Sequence, residues 1–404
     1  MRSVGFGVFT ALLLALPACG QPGAEELVVS MLPALERLSG LEAIAPVRVE
    51  PRSREELRDY VVQRMDERWR PGQVEAITRV YELVGLLPPG IDLRTLLLDL
   101  YTEQVLGYYD PPTATLYVMD GVPAAELRTV VAHELVHALQ GQHVDLDSLL
   151  DPDRGNDRQL AAAAAIEGHA VLVTLALTAE ELGAGPMSVD ALPNLRVEMR
   201  PAAEAERSAF PVFSAAPRYV REVLMFPYAE GAGYVQELWK AFPDRPPPFG
   251  ELLPQSSQQV LHTTERFLDD RAEPVVLDFS CDAAAWTGAE AAYENEFGQF
   301  EVMLILEEAL GGAYRGLAHE WAGDRYRLLD TGSESGSLEW YVAWRSHAAA
   351  DAFADAFNRI IEESGWEGTV DRLDVDDRPL VRVVLGDTAA LPVARDPGLC
   401  VITE

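Results

Sequence analysis

The sequence is poor in lysine and in basic residues generally. Lys240 is the only lysine among 404 residues, and 32 Lys+Arg stand against 65 Asp+Glu, so the formal net charge is −33 at pH 7. A surface this acidic repels phosphate groups, which excludes nucleic acid as a partner held by charge. Hydrophobic residues make up 48% of the chain and charged residues 24%, values typical of a globular protein of two or three domains.

Cysteine is also scarce, and the first of the three cysteines follows an export signal. Arg2 precedes an apolar run from Val4 to Leu16, which is too short to span a bilayer as a mature helix. The string Leu16-Pro17-Ala18-Cys19 resembles the lipobox of bacterial lipoproteins, in which the cysteine is acylated after cleavage. We therefore predict a signal peptide over residues 1–18 and a lipidated Cys19 with a tether over 19–30. The alternative is an ordinary secretory signal with an incidental cysteine.

This interpretation predicts an exported bacterial lipoprotein of the cell envelope, anchored in the outer or cytoplasmic membrane and facing the periplasm or the exterior. Two cysteines, Cys281 and Cys400, then remain in a compartment where disulfides persist. A bridge between them would close a loop of more than a hundred residues and contribute about 4 to 5 kcal/mol in the chain-entropy model. Two buried free thiols are the alternative.

Changes in hydrophobic period along the chain predict a mixed α+β fold. Two β-rich runs, Val105 to Tyr109 and Thr115 to Met119, flank a Pro-Pro turn and predict a hairpin. The following stretch, Ala124 to His143, has the apolar spacing of a helix. From about Phe279 onward, strand and helix patterns alternate. We therefore predict a larger domain over 31–275 and a smaller C-terminal α+β domain over 276–404.

A long apolar segment, Leu160 to Ala179, raises a membrane-spanning helix as a competing interpretation. Glu167 and His169 lie near its middle. Two ionisable groups at that depth are costly in a bilayer, so a buried helix of a soluble core with a functional carboxylate fits the segment better.

The most informative string is His133-Glu134-Leu135-Val136-His137. Residues four apart lie on one face of a helix, so the two histidines can bind one zinc ion while Glu134 points toward the open position of the metal. This spacing predicts a metallopeptidase site with one Zn²⁺ per chain. The alternative is an amphipathic helix in which the three residues coincide by chance.

Zinc requires a third protein ligand, and the sequence offers two candidates. His143 follows His137 at the metzincin distance, but the glycine that this motif requires three residues after the second histidine is replaced by Gln140. Glu167 lies within an apolar helix, where an isolated carboxylate is costly unless it is paired or metal-bound. The residues favour Glu167 and leave His143 open. His169 is expected to be a core histidine or a partner of a metal ligand.

Three further features bear on catalysis. His262 and Tyr228 are candidate donors to the oxyanion that forms during peptide hydrolysis, with loop packing as the alternative. Asp145 either orients a zinc histidine or belongs to a solvated acidic loop, and the loop is the favoured interpretation. The strand Thr115 to Met119 precedes the active helix, where a peptide substrate can add as an extra strand.

Four strings occur in succession: LGYYDPPTATLYV, HELVHALQGQH, AIEGHA and SSQQVLHTTERF. Together they resemble a family of bacterial exported zinc metallopeptidases of the gluzincin type, which read GFYDP…LYV, HELTHALQDQHFDL, EGDA and STEQ-LHPEKY. The resemblance covers most of the mature chain and implies a zincin-like fold with Glu167 as third ligand. This sequence departs from the pattern at His169, where the family has Asp, and at Gln258, where it has Glu.

The combined prediction is a membrane-anchored zinc metallopeptidase with Glu134 as general base, acting on a peptide or protein substrate. Two other functions stay open. One is a binding or scaffold lipoprotein that keeps zinc structurally, and the other is a zinc hydrolase of non-peptide bonds.

Overall fold

The computed structural model of the chain describes residues 23–183, 185–199, 210–279, 291–330, 336–387 and 399–402. Over these ranges the fold is mixed α+β, as the sequence predicts. The predicted signal peptide, Cys19 and Cys281 lie outside the described residues. The predicted tether over 19–30 is too long, because a helix already begins at Ala24 and buries Leu27 and Val28 in the core.

Four helices form the N-terminal part: α1 (Ala24–Ser39), α2 (Arg54–Arg68), α3 (Gln73–Leu83) and α4 (Leu93–Gln104). The start of α2 is fixed by a capping box. The Ser53 hydroxyl accepts the Glu56 N–H, and the Glu56 carboxylate accepts the Ser53 N–H, which satisfies two of the free donors at the helix end. This start is where the Ser53-to-Glu56 spacing places it.

A three-stranded sheet packs against the helix that carries the HExxH string, with strands β1 (Arg48–Arg52), β2 (Gly107–Asp110) and β3 (Thr115–Met119). The predicted hairpin is confirmed, since β2 and β3 pair antiparallel. However, β1 pairs parallel with β3 on its other side. The strand Thr115 to Met119 is therefore central, and the prediction that a peptide adds to it is wrong. The sequence analysis missed β1 because four of its five residues, in the string RVEPR, are charged residues or proline.

The helical core consists of α5 (Ala124–His143), α6 (Leu146–Leu149), α7 (Asn156–Glu181), α8 (Pro211–Ala215), α9 (Arg218–Ala241) and α10 (Ser257–Leu261), followed by a π-helical stretch, Thr263–Asp269. Within the described ranges, α7 alone has the length and apolar composition of a membrane span, and 89% of its apolar window is buried in the fold. This agrees with the prediction, made from Glu167 and His169, that the segment is a buried core helix rather than a membrane span.

Helices α7 and α9 cross at a pair of glycines. A Cβ on Gly168 would overlap the backbone of Gly231, and a Cβ on Gly231 would overlap the carbonyl of Ala164. Only glycine permits this approach of the two backbones. The crossing places the face of α9 that carries Tyr228 against the elements that carry the candidate metal ligands.

The C-terminal part is an antiparallel five-stranded sheet in the order β5-β6-β7-β9-β8, covered by helices. Its elements are β5 (Ala291–Asn295), α11 (Gly298–Leu310), β6 (Trp321–Leu329), β7 (Ser337–Trp344), α12 (His347–Ser364), β8 (Gly368–Val375) and β9 (Arg378–Gly386). A separate ribbon pairs β4 (Val276–Asp278) with β10 (Cys400–Ile402). Cys400 is disulfide-bonded, while its expected partner Cys281 is outside the described residues.

The two parts share one continuous hydrophobic core, because the largest buried cluster contains residues from both. A buried carboxylate crosses the same boundary. Glu301 of α11 accepts the hydroxyl of Tyr81 at 3.0 Å and that of Tyr219 at 2.6 Å. The C-terminal sheet is therefore built onto the helical core rather than tethered to it.

Candidate metal centre

The HExxH string lies in the second half of α5, where every residue from Val130 to Gln140 is buried. His133 is fully buried, and His137 exposes 6% of its surface. Their Nε2 atoms are 3.0 Å apart, and the two rings stand nearly perpendicular. The helical spacing thus brings both imidazoles to one point, as the sequence predicts.

The third group at this point is Glu167, in the middle of α7. Its Oε2 lies 3.1 Å from His133 Nε2 and 3.4 Å from His137 Nε2. Across the described ranges, these three side chains form the one group of His, Cys, Asp and Glu atoms compact enough to hold a metal ion. His143 points elsewhere, because its Nε2 binds the backbone carbonyl of Glu42 at 2.7 Å. The structure thus brings together Glu167 and the two histidines, and leaves His143 at the surface.

The pKa values of this group are set by burial and by one negative charge, that of Glu167, which lies between two imidazoles. Burial disfavours the Glu167 carboxylate, but attraction from His137 and hydrogen bonds from both histidines outweigh it and lower the Glu167 pKa to about 2. Burial also opposes a charged His137, yet the charge and hydrogen bond of Glu167 raise its pKa to about 9. Burial lowers the pKa of His133 to about 4. Without metal, a proton on His137 balances the carboxylate.

Glu134 lies beside the group and is almost completely buried. Burial raises the pKa of its carboxyl to about 7. The carboxylate accepts the backbone N–H of Tyr109 in β2, while its Oε1 has no hydrogen-bond partner among the described atoms. Gly107 allows the strand to approach, since a Cβ there would lie 2.8 Å from Val130. Strand β2 therefore holds one oxygen of Glu134 and leaves the other available.

A buried amide that the sequence analysis missed lies behind His137. Gln140 Oε1 is 2.8 Å from His137 Nδ1, and its Nε2 is 3.0 Å from the Ile166 carbonyl and 3.1 Å from His169 Nδ1. His169 is thus a partner of the group rather than a ligand. The only sign of this contact in the sequence is the spacing, because a glutamine three residues after His137 lies on the same helix face.

The two candidate oxyanion donors occupy different places. Tyr228 on α9 is buried, with its ring centre 6.3 Å from that of His133. His262 instead lines a cavity of about 810 Å³ beside α9, a cavity that none of the three candidate ligands lines. Its Nε2 lies 2.8 Å from Gln299 Nε2 and 3.3 Å from His319 Nδ1. The structure brings Tyr228 to the candidate metal centre and does not bring His262 there.

Asp145 and Gln258, two further residues of the sequence analysis, have their contacts away from the candidate metal centre. Asp145 caps α6, because its carboxylate accepts the Ser148 N–H at 3.1 Å. It therefore belongs to the acidic loop, which was the favoured interpretation. Gln258 accepts a hydrogen bond from Arg345 at 2.6 Å and donates to the Trp321 carbonyl at 2.7 Å. This residue, one of the two departures from the gluzincin-type pattern, joins the core to the C-terminal sheet.

Comparisons with known proteins bear on the C-terminal part alone. A domain of unknown function (DUF8575) matches residues 287–396, which contain the five-stranded sheet. Searches among curated proteins and among solved structures found no match. The three residues of the candidate metal centre lie outside the matched stretch, so the case for a metal site depends on their geometry alone.

Proposed function

We propose that this protein is a zinc metallopeptidase in which His133, His137 and Glu167 hold one Zn²⁺. The spacing of the three ligand atoms carries the proposal, at 3.0, 3.1 and 3.4 Å. Ligands that lie 2.0–2.1 Å from a tetrahedral zinc ion are about 3.3 Å from one another. The three observed distances are close to this value, which supports a metal ion held by these side chains.

The composition of the group favours zinc with a catalytic role. Imidazole nitrogens suit zinc and other transition metals, whereas Mg²⁺ and Ca²⁺ prefer oxygen ligands. Structural zinc sites usually have four protein ligands, and catalytic sites have three with water in the fourth position. In the described part of the chain, the group has three members, which supports an open site over a scaffold role.

The chemistry then follows from the neighbours of the metal site. Zinc, when bound, makes a water molecule acidic and polarises the scissile carbonyl. We assign the free oxygen of Glu134 the role of taking a proton from that water and delivering it to the leaving amine. Burial raises the pKa of this carboxyl to about 7 in the metal-free protein, which is the direction that suits a general base. The buried hydroxyl of Tyr228 is the group we assign to the substrate oxygen.

The remaining parts of the proposal concern fold, substrate and location. We assign the region before Val276 to a zincin-like catalytic domain, because a short sheet with β2 at its edge packs against the HExxH helix. The C-terminal sheet is an appendage of the same core. The substrate is a peptide or protein, and an acylated Cys19 anchors the chain to the membrane of the cell envelope.

The decisive experiment compares Glu134→Gln with the wild type after both are loaded with zinc. The variant keeps every ligand, so it should retain one zinc per chain while peptide hydrolysis falls by about 10²- to 10⁴-fold. The matched control is Glu126→Gln, in the first turn of the same helix, which should cleave like wild type. Equal turnover by the Glu134 variant would refute the catalytic assignment.

The same preparation separates the alternative functions. A zinc-loaded wild type that hydrolyses ester or amide panels but not casein or a peptide library would be a hydrolase of non-peptide bonds. Bound zinc with no hydrolysis in either assay would indicate the scaffold role. For the anchor, mass spectrometry of the mature N-terminus should find a lipidated Cys19, and an unmodified N-terminus would remove the anchor from the proposal.

A further inference from the structure

The amide of Gln140 can adopt only one orientation. This side chain is fully buried, and its Nε2 faces the backbone carbonyl of Ile166, which can accept a hydrogen bond but never donate one. A flipped amide would place two oxygens against each other. The carbonyl therefore fixes Nε2 toward α7 and Oε1 toward His137.

That orientation determines which nitrogen of His137 carries hydrogen. Gln140 Oε1 is only an acceptor, so the facing Nδ1 of His137 must donate across the 2.8 Å between them. The neutral ring then presents the lone pair of Nε2, the atom that faces Glu167 and His133. A metal ion requires this tautomer.

His169 completes the arrangement on the other side of the amide. Gln140 Nε2 has two hydrogens, one for the Ile166 carbonyl and one for His169 Nδ1 at 3.1 Å. The His169 ring is fully buried and stands nearly perpendicular to the rings of Trp239 and Phe249. The backbone carbonyl of Ser39 lies beside this ring, although His169 Nε2 makes no hydrogen bond of normal geometry.

We propose that Gln140 and His169 are positioning residues that select the metal-binding tautomer of His137. They form a neutral relay, in which His169 Nδ1 accepts from the Gln140 amide and the Gln140 carbonyl oxygen accepts from His137. The relay also ties α5 to α7 next to Glu167, so the ligands from the two helices are held in one register. This inference rests on the metal site of the proposed function, but not on peptide hydrolysis.

The absence of charge in this relay has a consequence for the site. Histidine ligands in metal sites are usually oriented by a carboxylate, a carbonyl or water. Here the orienting group is an amide, so Glu167 supplies the only negative charge among the ligands and their direct relay. Loss of the Gln140 amide would leave the Nδ1–H of His137 buried without an acceptor, which costs free energy and frees the ring to take the other tautomer.

The test measures zinc affinity by competition with a chelator, using four variants of the full chain. Gln140→Met keeps the volume but removes all three hydrogen bonds of the amide, and should weaken zinc binding about 10- to 100-fold. His169→Leu removes the acceptor and should weaken it by a smaller factor. His169→Asn restores an acceptor at the position of Nδ1 and should recover most of the affinity. Gln142→Met, which changes a surface amide of the same helix, should bind like wild type.

Two additional measurements separate positioning from folding. Thermal unfolding of the metal-free variants should show native cooperative transitions, and the visible spectrum of the Co²⁺-loaded protein should change for Gln140→Met but not for Gln142→Met. Native zinc affinity in a folded Gln140→Met protein would overturn the proposal for Gln140. Equal loss in His169→Asn and His169→Leu would show that His169 acts by packing alone. Peptide hydrolysis is not needed for any of these results, so the two proposals can fail separately.

Discussion

Glu167 and Glu301 are both buried glutamates on core helices, but their surroundings move their pKa values in opposite directions. Glu167 faces two imidazoles, and its pKa is lowered to about 2. Glu301 faces the hydroxyls of Tyr81 and Tyr219, and burial raises its pKa to about 8. Hydroxyl donors offset only part of the desolvation of a carboxylate, whereas a neighbouring cation offsets more of it.

The comparison separates a candidate metal ligand from a structural carboxylate. An ionised, buried carboxylate beside two imidazoles attracts a cation. When no cation is bound, a proton on His137 balances the charge of the carboxylate. A protonated carboxyl among hydroxyls joins two packed elements without any ligand. Burial alone therefore does not decide whether a carboxyl group is ionised in this protein; the charge of its neighbours does.

The largest effects are expected from alanine substitutions at two glycines, Gly168 in the helix of Glu167 and Gly298 in the helix of Glu301. Gly168→Ala forces a Cβ into the backbone of Gly231 and should cost about 3 kcal/mol or more, together with zinc binding. Gly298→Ala introduces strain at φ +77° and overlaps Asp157, so it should destabilise the junction by about 2 to 3 kcal/mol.

Denaturant unfolding and zinc titration should distinguish the two glycine variants. The Gly298 variant, where folded, should keep native zinc affinity. Gly312→Ala is the control, because no atom lies near its added Cβ. Native stability in the Gly168 variant would contradict the close helix crossing.

A second prediction compares Glu167 with His143 as third ligand. Glu167→Ala removes a bond and the only ligand charge, and should weaken zinc binding more than 100-fold, beyond the range of indirect partners. His143→Ala should leave affinity unchanged, since this residue contacts the Glu42 carbonyl at the surface. Metal titration with circular dichroism as a check of folding measures both. Loss of zinc in the His143 variant alone would indicate a metzincin-like site.

A third prediction concerns the pH dependence of zinc binding. The pKa of His137 in the metal-free protein is raised to about 9, and zinc must displace that proton. Apparent affinity should therefore rise about tenfold per pH unit up to pH ~9 and then level off. The measurement uses Glu134→Gln, because titration of Glu134 would add a second proton below pH 7. An affinity independent of pH between 6 and 8 would contradict the proton on His137.

The smallest expected effect comes from Glu301→Gln, which should change how the stability of the fold depends on pH. The folded pKa of Glu301, about 8, exceeds that of an unfolded glutamate, so the folded state binds the proton more tightly. Stability should then fall as pH rises from about 4.5 to 8, and Glu301→Gln should be about 1 to 2 kcal/mol more stable than wild type at pH 8.5. The pKa of Asp157 is also raised to about 8, so the Glu301 variant should keep part of the dependence of stability on pH.

Denaturant titrations at pH 5 and pH 8.5 provide the Glu301 measurement. The control is Glu308→Gln, a half-exposed glutamate on the same helix. If the Glu301 variant shows the same pH slope as wild type, the carboxyl is ionised in the fold and the contrast with Glu167 disappears.

Local spacing in the sequence was sufficient for much of the fold and part of the site. The positions of His133, Glu134 and His137 on one helix follow from a repeat of 3.6 residues, and the β2–β3 hairpin follows from two β-rich runs around a turn. The start of α2 follows from a capping box. Each of these features depends on residues close together in the chain, so their patterns appear in the sequence itself.

Only the tertiary structure selected among groups that are distant along the chain. Glu167 meets His133 across 34 residues, and nothing in local spacing distinguishes it from His143 except the missing glycine of the metzincin motif. Gly168 and Gly231 meet only at the helix crossing, and His262 contacts Gln299 and His319 rather than the candidate metal ligands. Periodicity fixes which face of an element is apolar, whereas packing between elements decides which side chains meet.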